Sequence, residues 1–98
     1  MSEAAAPALD GAAVPFLPRG VRLRYCGIRE AWFLLAPERA VRLDPVAAAI
    51  LQALDGTRDV DAVVAHLAET YQAPRERIGA DVRAFLTDLN ARWMVSFR

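Results

Sequence analysis

Few side chains in this 98-residue chain could do covalent chemistry. There is one histidine, His66, one cysteine, Cys26, and two serines, Ser2 and Ser96, each near a chain end. A nucleophile needs a base within hydrogen-bond reach and a third group that orients the base. No such set can be assembled from these four. His66 falls off the apolar stripe of its helix, beside Ala62 and Thr70, and reads as a solvated residue. Cys26 falls in an expected hairpin turn. Asp59 and Asp61 are a close carboxylate pair, but one is needed as a helix cap and both suit the positive end of a helix. No glycine-rich loop is present to cradle phosphate. A lone cysteine excludes an intramolecular disulfide. With one histidine it leaves too few donors for a closed zinc site. The expectation is a protein with no catalytic residues, no metal and no cofactor.

Charge is the next resource. Lysine is absent, and 12 arginines balance 12 acids. A neutral total argues against a nucleic-acid coat. The distribution is uneven. Residues 19–42 hold six arginines (19, 22, 24, 29, 39 and 42) and two acids, Glu30 and Glu38, whereas residues 44–69 hold five acids and only Arg58. A basic front thus meets an acidic middle, which suits an acidic partner. No apolar run approaches the ~18 residues of a membrane helix. The first residues have neither a basic leader nor an apolar core, so a cytoplasmic address is expected.

The elements that must position these groups follow from periodicity. Residues 1–18, with three of the six prolines, read as a flexible arm whose Val14, Phe16 and Leu17 can dock on the rest. Residues 19–98 form one domain. Val21 to Tyr25 alternates apolar and polar, Ala31 to Leu35 is apolar on both faces, and Val41 to Leu43 alternates again. Cys26-Gly27 and Ala36-Pro37-Glu38-Arg39 are the turns. Helical spacing then takes over. Asp44 and Pro45 open a first helix with a stripe of Val46, Ala47, Ile50, Leu51 and Leu54, ended by Gly56. Asp59 caps a second, with Val60, Val63, Val64, Leu67 and Tyr71. Pro74 opens a third, with Ile78, Val82, Phe85, Leu86, Leu89 and Trp93. The fold class is α+β and winged helix-turn-helix-like, a three-stranded antiparallel sheet followed by three helices.

Such a sheet leaves strand 41–43 at an edge, with no Pro or Lys inside it to discourage pairing. An extended peptide can add there as a fourth strand. The third helix is a poor DNA reader, since Glu76, Asp81 and Asp88 would face phosphates.

Several runs resemble one family: Pro18-Arg19-Gly20-Val21-Arg22-Leu23, Trp32-Phe33-Leu34-Leu35-Ala36-Pro37-Glu38-Arg39, Leu43-Asp44, Ile50-Leu51 and Asp55-Gly56. In this order and spacing they are similar to PqqD, of pyrroloquinoline quinone biosynthesis. Segments 60–71 and 73–89 fit in length and pattern. Cys26-Gly27 departs from it, standing where an acidic residue is expected. The resemblance implies a non-catalytic peptide chaperone, a winged helix-turn-helix recognition domain. It would bind the precursor peptide PqqA and present it to the radical S-adenosylmethionine enzyme PqqE. The peptide would dock between the third strand and third helix. On this chain that points to Arg39, Ala40, Val41, Arg42 and Leu43, and to Ile78, Val82, Phe85, Leu86 and Leu89. Val82 and Leu86 are expected at the open margin of the helix stripe. Two other readings stay open here: a DNA-binding winged helix, and a structural domain whose edge strand pairs with its own copy as a homodimer.

Overall fold

The computed structural model describes residues 10–98. The expected arm therefore lies partly outside it, as does Ser2. Eight elements follow in order: β1 (Pro15–Phe16), β2 (Arg22–Cys26), β3 (Ala31–Ala36), β4 (Arg39–Leu43), α1 (Pro45–Gln52), α2 (Val60–Tyr71), α3 (Arg75–Ala91) and β5 (Ser96–Phe97). The α+β order is as expected, with β2, β3 and β4 as an antiparallel meander.

Local chemistry explains most boundaries. The turn between β3 and β4 is only Pro37-Glu38, and Glu38 takes a positive φ of 63°. That conformation is costly for a residue with a Cβ, and the two strands hold it in place. Cys26 is not in the preceding turn. It is the last residue of β2, opposite Ala31. At α1, Asp44 Oδ1 accepts from the Ala47 N–H at 2.7 Å and Pro45 occupies the first turn. Gly56 does not end α1, which stops at Gln52, because the Ala53 N–H bonds back to Ala49 and Ile50 and tightens the last turn. In the following loop the Asp55 carboxylate accepts from the backbone of Arg58 and Thr57 and from the Thr57 hydroxyl. These bonds lower its pKa to about 2, the Arg58 N–H contributing most. Asp59 caps α2 through the Ala62 N–H at 2.8 Å.

Residues 10–18 lie against the body. Ala13 and Gly11 offer their carbonyls to the Val60 and Asp61 N–H groups, at 2.9 and 3.0 Å. These are orphan donors of the first turn of α2, so the arm completes the cap. A Cβ on Gly11 would meet the exposed Asp61 carboxylate, which would have to swing aside to admit it. Just beyond, β1 pairs with β5, Pro15 opposite Phe97, and the Arg98 guanidinium lies over the Phe16 ring at 4.4 Å.

The register gives the three-stranded sheet two unlike faces. Cross-strand partners share a face. Leu23, Leu34 and Val41 form one row toward the helices, and Tyr25, Trp32 and Leu43 the next. The core joins Leu34 to Leu51, Val60, Val63, Val82, Leu86, Leu89, Met94 and Val95. Three residues expected in helical stripes are exposed instead. Val46 points out from the first turn of α1, Tyr71 ends α2, and Trp93 lies past α3 in a left-handed conformation, 85% exposed. A stripe predicts which face is apolar, and at helix ends there is no partner element to cover it. No helix among the described residues is long and apolar enough to cross a membrane.

Candidate functional site

Strand order β2-β3-β4 leaves β4 at a margin, and among the described residues nothing pairs with its outer side. Its backbone is an unfilled template for another strand. Arg39, Ala40 and Arg42 are exposed, Val41 is half-buried on the core, and Leu43 is buried. Neither Arg39 nor Arg42 has an ion-pair partner among the described residues. The ion pairs there are Arg58–Asp55, Arg83–Asp61 and Arg92–Asp88. Arg39 reaches the Arg92 carbonyl at 3.4 Å, which sets the start of β4 beside the C-terminal end of α3.

At its other end β4 runs through Asp44 into α1. There Val46 and Ile50 face Ile78 and Val82 of α3 across a hollow of about 280 Å³, with Leu67 and Tyr71 of α2 completing the wall. Its charged lining residues are Arg77 and Asp81. The volume is at the small end for a ligand pocket, which suits a side chain better than a whole cofactor. A second hollow, between the ends of β3 and β4 and α1, includes Trp32, Arg42 and Gln52. Pro45, Ala49 and Tyr71 line both, so the apolar surface is continuous around the start of α1.

The expected helix face divides. Val82, Leu86 and Leu89 are 1%, 0% and 0% exposed and belong to the core. The expectation that Val82 and Leu86 stand at an open margin is corrected: α3 packs along α2 and buries both. Ile78 and Phe85 are half-buried and pack on the core's edge. The sequence reading missed two exposed apolar members of the hollow, Val46 and Tyr71. Their one signal was position, in the first and last turns of their helices, where a stripe runs out of partners.

No set of three or more His, Cys, Asp or Glu among the described residues could hold a metal. His66 is exposed on α2, and its carbonyl accepts from Thr70.

Comparison with known proteins places this arrangement. The family model for coenzyme PQQ synthesis protein D (PqqD) matches residues 31–95. The PqqA binding protein of Rhizobium meliloti (strain 1021) is 48% identical over 90 residues, 92% of each chain. A bifunctional coenzyme PQQ synthesis protein C/D from Methylorubrum extorquens is 44% identical over 82 residues, which span 84% of this chain and 22% of that one. The solution structure of the PqqD part of Methylobacterium extorquens PqqCD, described as a functional, stand-alone recognition element for ribosomally synthesised, modified peptides, superposes with a TM-score of 0.80. It is 40% identical, and the match covers 93% of this chain and 97% of that one. With its sheet, its helices and nearly its whole length shared, the chain belongs to the PqqD family.

Proposed function

We propose that this chain is a non-catalytic chaperone of pyrroloquinoline quinone biosynthesis that binds the precursor peptide PqqA and presents it to PqqE in the cytoplasm. The observation that carries the reading is the unpaired edge of β4, which leads at one end into the apolar hollow of α1, α2 and α3. The name of the Rhizobium meliloti relative, a PqqA binding protein, supports the peptide as ligand. In this reading PqqA adds as a strand along Arg39–Leu43. Backbone bonds supply affinity and do not discriminate sequence, whereas alternate side chains face pockets and do. Val46, Tyr71 and Ile78 take an apolar side chain of the peptide. Arg39 and Arg42 attract its acidic groups. Val82 lines the floor of the hollow, and Leu86 and Leu89 support the wall from behind.

The test is calorimetric titration with synthetic PqqA at low and high salt. Micromolar or tighter binding with modest salt sensitivity is expected, since backbone pairing and apolar contact dominate. No binding of PqqA, with steeply salt-dependent binding of a DNA duplex in its place, would favour a nucleic-acid partner. No binding, with size growing with concentration in light scattering, would make the β4 edge a contact between copies of the chain.

A further inference from the structure

The peptide reading uses the edge of the sheet, the hollow between the helices and, of the sheet's outer face, only Arg42. It leaves the rest of the outer face unexplained. On that face Arg22, Leu35 and Ala40 form one cross-strand row and Arg24, Phe33 and Arg42 the next. Phe33 and Leu35 are half-buried, yet neither packs on the core. The three arginines are exposed and have no carboxylate partner among the described residues. The strands contribute no acid to this face; Glu30 and Glu38 lie in the turns. Two adjacent large apolar side chains are thus flanked by three guanidinium groups that have no ion-pair partner among the described residues. Arginine around an apolar centre is the composition of a protein-binding patch.

We infer that the outer face of β2, β3 and β4 docks a folded protein that presents carboxylates around an apolar centre, namely the enzyme that modifies the bound peptide. The inference rests on the strand-addition reading. Charge complementarity argues for the acidic rim. Continuity with β4 argues for the enzyme. A peptide added to β4 extends this same face by one strand. Every second peptide side chain then stands beside Ala40 and Arg42. A partner on this face touches the domain and the peptide together, so it holds the loaded domain more tightly than the empty one.

The test is an Arg22→Glu/Arg24→Glu variant and, separately, Phe33→Ser. Arg22 and Arg24 lie on β2, the strand farthest from the peptide edge. Binding of synthetic PqqA is read by calorimetry, and binding of purified PqqE by surface capture, with and without peptide. Expected is peptide affinity within twofold of the parent protein and at least tenfold weaker capture of PqqE by the charge-reversed variant. In the parent, capture is several-fold tighter with peptide present and weakens with salt. Unchanged capture by the Arg22→Glu/Arg24→Glu variant would overturn the inference, as would no capture by the parent. Loss of peptide binding by a variant with an intact circular dichroism spectrum would assign the face to the peptide instead. Loss of self-association in light scattering, with PqqE capture kept, would assign it to a second copy. If the parent captures PqqE through these arginines but binds no PqqA, the strand-addition reading fails and the docking face stands.

Discussion

Strand β4 and the middle of helix α3 both border the core, yet they spend their side chains differently. In α3, Val82, Leu86 and Leu89 are sealed in the core. In β4, Arg39, Ala40 and Arg42 are exposed, and the outer backbone edge is unpaired. One is scaffold and the other is surface. The difference teaches that a residue on an expected binding face can belong to the core: the middle of α3 is sealed, and in the proposed reading peptide contact falls to β4 and to the helix ends around the hollow. Stability and peptide affinity should therefore separate under mutation.

The largest effect is expected in the scaffold. Leu86→Ala should cost about 2–5 kcal/mol of stability, since it removes fully buried methyl groups and leaves a cavity. Below the melting point, peptide affinity should stay within about threefold. A loss of under ~1 kcal/mol in denaturant titration would break the comparison, placing Leu86 at the surface.

Next comes the edge. Arg39→Glu with Arg42→Glu should leave stability within ~0.5 kcal/mol, as exposed residues away from caps and core usually do. Peptide binding should weaken by roughly 2 kcal/mol through lost complementarity and added repulsion. Calorimetry that finds affinity within about twofold would remove these arginines from the site.

A smaller effect is expected at the hollow. Tyr71→Ala, at an exposed helix end, should cost binding about 1 kcal/mol, the loss of an aromatic contact. The melting temperature should barely move. A large stability loss with unchanged affinity would make Tyr71 scaffold.

The smallest effect sharpens the baseline. Asp55 has a pKa lowered to about 2 from an ordinary 3.8, so its bonded carboxylate favours the folded state above the ordinary value. That contribution fades as pH falls through about 2. Asp55→Asn should be slightly less stable than the parent protein at pH 7, and the two should converge near pH 2. A difference that persists there would show that the loop depends on the side chain's shape and not its charge.

Much of this was legible before any coordinates. Asp44 with Pro45, and Asp59, announced helix starts because capping is local chemistry within four residues. The alternation around Val41 marked a strand, and its place last in a meander made it an edge. The site was less legible. Val46 and Tyr71 read as core because a stripe reports a face without reporting what covers it. Val82 and Leu86 read as margin for the same reason in reverse. The Cys26 turn and the Gly56 stop failed on boundaries, where one or two residues depend on the partner strand or on a tightened last turn.

The sequence by itself determined the segregated order of strands and helices, the caps, the scarcity of catalytic groups and the resemblance to PqqD. These rest on interactions within a few residues, or on composition. Only the tertiary structure decided that β1 pairs with β5 and that Gly11 and Ala13 complete the first turn of α2. It also brought α1, α2 and α3 together around one apolar hollow, and set Arg22, Arg24 and Arg42 on one face of the sheet with Phe33 and Leu35. Those contacts join residues tens of positions apart, and no local pattern records which distant surface will meet which.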